Sequence, residues 1–105
     1  MTVPLYRAKA EFFRTLGHPA RIRVLELLAE GERPVHELLE LIEIEPSNLS
    51  QQLAVLRLAG LVNQRREGGQ VIYALALAEV QDLLLSARAI ITARAAGDVV
   101  DELSR

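Results

Sequence analysis

The segment Pro46-Ser47-Asn48-Leu49-Ser50-Gln51-Gln52-Leu53-Ala54-Val55-Leu56-Arg57-Leu58 constrains the fold more than any other. At about 100° per residue, Leu49, Leu53 and Leu56 share one side of a helix. The helix starts near Pro46 or Ser47, since proline suits a first helical position, and it stops at Gly60. Away from the leucines lie Ser47, Asn48, Gln51, Ala54 and Val55, with Ser50 and Arg57 on the flank. A solvated helix face usually carries lysine and glutamate, which form helices well and keep their charge in water. This one is small, uncharged and rich in hydrogen-bonding groups.

Directly after it, the alternating runs Val62-Asn63-Gln64-Arg65-Arg66 and Val71-Ile72-Tyr73-Ala74-Leu75 flank Gly68-Gly69, a strong hairpin signal. Upstream, Leu5, Ala8, Phe12, Phe13 and Leu16 recur at helical spacing until Gly17 and Pro19 end the helix. Pro19 then opens a second helix in which Ile22, Val24, Leu25, Leu27 and Leu28 are apolar nearly all round, the pattern of a central buried helix. Gly31-Glu32-Arg33-Pro34 reads as a turn, and Val35, Leu38, Leu39 and Ile42 as a short third helix with acids outside. Val80, Leu83, Leu84, Ala87, Ile90, Ile91 and Arg94 mark a long last helix, which Val99, Val100 and Leu103 either extend or leave to fray. The expected fold is mainly α with a small β-hairpin, a winged helix-turn-helix ordered helix–helix–helix–helix–strand–strand–helix and filling residues 1–105 as one domain.

Composition excludes several classes of function. Without cysteine there are no disulfides and no thiolate metal sites. No apolar run approaches the roughly 18 residues of a membrane span, and the start lacks a signal-peptide pattern, so the expected location is cytoplasmic with no membrane partner. No phosphate-binding glycine loop, HExxH or Cys–His pair is present, so no enzyme is expected. The net charge of −2 alone argues against nucleic acid, yet residues 46–76 hold 3 basic side chains and 1 acid, the only net-positive third of the chain.

Asparagine and glutamine amides on an outward helix face suit base edges, and arginines beside a glycine tip suit phosphates. The candidate DNA contacts are therefore Ser47, Asn48, Ser50, Gln51, Gln52, Val55 and Arg57 on the helix, and Arg65, Arg66, Gly68 and Gly69 on the hairpin. Ser47 has a second reading as a helix cap, and only one of the two arginines need touch DNA, because strand neighbours face opposite sides. The end helices, about 5–16 and 79–96, carry apolar faces beyond what a compact winged helix needs. Leu5, Phe12, Val80, Leu84, Ala87 and Ile91 are the candidate contacts of a homodimer matched to palindromic double-stranded DNA. His18 reads as a helix cap. His36 and Glu40, at i,i+4, are spaced to share a weakly held nickel or zinc ion, but a merely solvated acidic face is the preferred reading.

The segments Leu16-Gly17-His18-Pro19-Ala20-Arg21-Ile22-Arg23-Val24-Leu25, Ser47 through Val62, and Arg65-Arg66-Glu67-Gly68 through Leu75 resemble the ArsR/SmtB family of bacterial winged-helix repressors. The resemblance runs closely from Phe12 to Leu77. It implies a homodimer that sits on a palindromic operator and is released by an effector. This chain departs from the family in having Gln52 where histidine is frequent. It also has no cysteine in Val35-His36-Glu37-Leu38, where a thiolate sensor would stand, and no histidine after His36. The family's usual metal sites are therefore missing. A different function for the same fold, a winged helix that binds protein instead of DNA, is the alternative reading.

Overall fold

The computed structural model describes the backbone of residues 2–104 and the side chains of residues 2–97. Helices α1 (Leu5–Leu16) and α2 (Pro19–Ala29) lead to a two-residue strand β1 (Arg33–Pro34) and helix α3 (Val35–Ile42). Helix α4 (Pro46–Leu58), strands β2 (Val62–Glu67) and β3 (Gln70–Leu75) and helix α5 (Glu79–Ser104) complete the chain. The side chains of Val99, Val100 and Leu103 lie outside the described residues. None of the described helices is long and apolar enough to cross a membrane.

Local chemistry sets the helix boundaries. His18 caps α2, its Nδ1 accepting the Ala20 N–H at 3.3 Å, with proline in the first turn. The turn from α3 to α4 hinges on Glu43, which takes the left-handed conformation at φ 59° without being glycine. Such a conformation costs a side-chain-bearing residue on the order of 1–2 kcal/mol, so packing on both sides must hold it. Gly68 and Gly69 also have positive φ, 57° and 80°, which a tight two-residue hairpin turn requires.

The hairpin belongs to a larger sheet than the sequence indicates. The segment read as a turn supplies β1, whose Arg33 and Pro34 pair antiparallel with Tyr73 and Ile72, giving the order β1-β3-β2. Proline is tolerated there because β1 is an edge strand. Arg33 fastens this corner: its Nε donates to the Leu27 carbonyl at 3.2 Å, and its guanidinium meets Glu30 at 2.7 Å and Glu37 at 3.3 Å.

The core gathers Val24, Leu25, Leu27 and Leu28 of α2 with Leu38 of α3, Leu49, Leu53 and Leu56 of α4, and Leu61, Val62 and Tyr73 of the hairpin region. As its pattern suggests, α2 is the central helix, packed on α3, α4, α5 and β3. Val80 is also part of this core, at 4% exposure, and is thereby removed from the proposed dimer contacts. It sits in the first turn of α5, where the helix leaves the sheet and is still covered by the domain.

Deleting core volume and trimming an exposed leucine on the same helix should differ sharply. Leu56, fully buried, should lose about 2–5 kcal/mol of unfolding free energy as Leu56→Ala. Leu58, 86% exposed two residues later, should change by under about 0.5 kcal/mol as Leu58→Ala. Urea unfolding with a common m-value measures both.

Candidate nucleic-acid interface

The leucine stripe decides which way α4 faces. With Leu49, Leu53 and Leu56 buried, Ser47, Ser50, Gln51 and Arg57 come out exposed, and Asn48, Ala54 and Val55 half-buried. The cap of α4 is Glu45, with no side-chain hydrogen bond to the helix, so Ser47 is not spent on capping.

Gln52 does not belong to this outward set. It is 7% exposed, the one buried polar side chain among the described residues. At about 100° per residue, position 52 falls at the edge of the leucine stripe beside Leu56, on the side turned to α2. There Gln52 Oε1 accepts from Arg21 Nε at 2.7 Å, and its Nε2 donates to Asn48 Oδ1 at 2.9 Å. Its role is internal, and the expectation of a DNA contact is corrected. The sequence held a partial signal, since the family often carries histidine at this position, another side chain able both to accept and to donate.

The two wing arginines separate as strand geometry requires. Arg65 is held by a two-pronged pair with Glu32, at 2.6 and 2.7 Å, and by Glu67 at 2.7 Å. Glu32 precedes β1, so this pair ties β2 to the far edge of the sheet. Arg66 is exposed and forms no ion pair among the described residues, and the same holds for Arg57 on α4. Between helix and wing runs a hollow of about 330 Å³. Ser50, Ala54 and Arg57 line it from α4, and Gln64, Val71 and Tyr73 from the hairpin. Gln64 is an addition that periodicity alone does not single out. Gly68 and Gly69 form the exposed tip.

His36 and Glu40 are both exposed on α3. Glu37 between them turns to Arg33, and among the described residues no three His, Asp or Glu side chains are grouped to hold a metal.

The expected dimer residues also separate. Leu5 at 69% and Ile91 at 53% exposure are open, as is Ala87, whereas Phe12 and Leu84 are half-buried against the core. Tyr6, Phe13, Leu85 and Ile90, which are not among the candidate dimer contacts, are more than half exposed and enlarge the apolar surface of the two end helices.

Comparison with known proteins gives consistent matches. A family profile described as bacterial regulatory protein, arsR family, matches residues 18–64. An uncharacterized HTH-type transcriptional regulator of Mycobacterium tuberculosis, Rv0081, is 56% identical over 89 residues, 84% of this chain and 78% of that protein. Its crystal structure superposes with a TM-score of 0.82 at 54% identity, covering 94% of this chain and 99% of that one. The transcriptional repressor BigR of Xylella fastidiosa gives a TM-score of 0.71 at 38% identity, covering 85% and 88%. A homodimeric winged helix-turn-helix DNA-binding domain from Mycobacterium bovis gives 0.74 at 30% identity, covering 84% and 82%.

The Arg65 clamp has a titration signature. Its guanidinium, hydrogen-bonded to Glu32, holds that carboxyl below the ordinary glutamate range. A lowered folded value means the clamp is intact at neutral pH and is lost as pH falls through that lowered value. In an NMR titration the Glu32 carboxyl should therefore titrate below the ordinary glutamate range, and Arg65→Gln should raise it back toward that range.

Proposed function

Because this chain belongs to the ArsR family of bacterial regulatory proteins, we propose that it is a transcriptional repressor that binds a palindromic operator as a homodimer. In this reading α4 enters the major groove and the β2–β3 hairpin lies along the flanking backbone. The observation that carries it is the outward row of α4, the exposed Ser47, Ser50, Gln51 and Arg57, with no acid among them, of which Ser50 and Arg57 line the hollow shared with the wing. Gln51 is the base reader, since its amide pairs bidentately with a base edge, and Arg57 and Arg66 neutralise phosphates. Regulation then works by occupancy of DNA and needs no catalytic group.

The second copy docks through the end helices. Their Leu5, Tyr6, Phe13, Leu85, Ile90 and Ile91 are large apolar side chains left more than half exposed, the surface a second copy would cover. The radius of gyration, 16.5 Å against about 13 Å for a compact chain of this length, reflects helices that extend past the core. The homodimeric Mycobacterium bovis neighbour has the same fold, which supports the reading.

DNA selected by the protein from a randomised pool should be bound with a log–log salt slope near −5, if roughly six phosphates are neutralised per dimer. Gln51→Ala should cost roughly 1–3 kcal/mol on selected DNA and little on random DNA. Arg66→Ala should weaken all sequences alike and flatten the slope. Salt-independent binding, or equal affinity for scrambled DNA, would favour a protein-binding role for the fold.

Ile91→Arg places a charge on the exposed apolar face without touching the core. It should shift sedimentation to the monomer while thermal unfolding of the domain remains cooperative. A dimer of unchanged affinity would place the interface elsewhere.

A further inference from the structure

Arg21, Gln52 and Asn48 form a chain of hydrogen bonds whose direction admits one assignment. The guanidinium of Arg21 has donors only. Its Nε donates to Gln52 at 2.7 Å, so the amide atom of Gln52 that meets it is the oxygen. The other end of that amide is then a donor, and it meets Asn48 at 2.9 Å, so the Asn48 atom facing it is Oδ1. The Asn48 Nδ2 group, with two hydrogens, is left directed away from the chain and donates to nothing among the described residues. Arg21 is itself fixed, because its Nη1 donates to the Thr15 carbonyl at the end of α1 at 3.1 Å. Gln52 itself is 7% exposed, which limits competition from water at both bonds.

Asn48 is the third residue of α4, half-buried, in the first turn of the helix placed in the groove. Residues there contact base edges and the adjoining backbone. An asparagine free to flip offers donor or acceptor to whatever it meets. One held by this chain offers its donor.

Building on the DNA-reading role, we propose that Asn48 is a specificity-determining hydrogen-bond donor to an acceptor atom of operator DNA, its polarity set by Arg21 through Gln52. The acceptor belongs either to a base edge, as in guanine N7 and O6 or thymine O4, or to a phosphate oxygen. Gln52 is a positioning residue that never touches DNA.

Gln52→Glu tests the relay. A glutamate still accepts from Arg21, but its carboxylate has only acceptors to offer Asn48. The Asn48 amide then turns over, donates inward and presents Oδ1 to DNA. On duplex DNA selected by the wild-type protein, Gln52→Glu and Asn48→Ala should each lose about tenfold in affinity, the scale of one hydrogen bond. In an Asn48→Ala background Gln52→Glu should cost less than about twofold more, because its effect runs through Asn48.

Fresh selection with Gln52→Glu distinguishes the acceptors. A base acceptor predicts a consensus changed at one base pair per half-site, toward the donor-bearing adenine or cytosine. A phosphate acceptor predicts an unchanged consensus and an equal loss on every sequence. Wild-type affinity in Gln52→Glu, or a full loss that persists in the Asn48→Ala background, overturns the proposal. Should Gln52→Glu fail to fold, Asn48→Asp decides. It still accepts from Gln52 but has no donor, and binding as tight as wild type would refute the assignment. If the wild-type protein selects no sequence at all, the DNA-reading role itself falls.

Discussion

The burial of Leu49, Leu53 and Leu56 beside α2 sets the rotation of α4 about its own axis, and the rest of the interface follows from that rotation. One residue of slippage turns the helix by about 100°, enough to bring leucines outward and bury Gln51. Each buried leucine contributes roughly 1.5–3 kcal/mol, so no competing register approaches this one. Gln52 lies within the same seam. Burying an amide costs free energy unless it is hydrogen-bonded, and here both its ends are satisfied. Arg21, which satisfies one end, also takes up a carbonyl at the end of α1. The packing that sets the rotation of α4 therefore also ties down the end of α1.

The wing depends on charge pairing more than on burial. β2 is exposed beyond Val62, so side chains from its own strand contribute little to fixing it. It is positioned by its ladder to β3, which is held in turn by β1. Glu32, immediately before β1, reaches across the sheet to Arg65. Adjacent in sequence and opposite in direction, Arg65 and Arg66 are thus divided between holding the wing and facing solvent. The acids that hold Arg65 leave Arg66 as the wing arginine without an ion pair among the described residues.

Much of this was legible in the sequence, and where it was not the reasons are physical. Helical spacing located all five helices, and Gly68-Gly69 located the hairpin tip, because both signals are local. Strand β1 was not legible: two residues carry no periodicity, and Arg33-Pro34 inside Gly31-Glu32-Arg33-Pro34 is indistinguishable from a turn until β3 pairs with it. Gln52 was assigned to the outer face because its residue type suits DNA. Its angular position beside Leu56 argues otherwise, and only the cross-element partner Arg21, 31 residues away, explains a buried amide there. Val80 continues the apolar stripe of α5 into the monomer core, and a stripe does not announce where one partner ends and the next begins. Arg65 and Arg66 were not separable in sequence for the same reason, since Glu32 lies 33 residues away.

The acidic balance of the chain also acquires a meaning from the placement of its charges. Six acids, Glu11, Glu26, Glu30, Glu32, Glu37 and Glu67, are within ion-pair distance of four arginines, because Arg33 and Arg65 each meet two. The Arg65 cluster therefore carries one acid in excess beside the wing, which partly offsets Arg57 and Arg66, the cations there without an ion pair among the described residues. The resulting field attracts a phosphate backbone weakly at long range, which disfavours binding to arbitrary DNA. In the proposed reading, short-range contacts, the Gln51 amide and the Asn48 donor among them, act only when α4 is seated in register. A regulator built this way gains its preference for one site by being a poor binder of all the others.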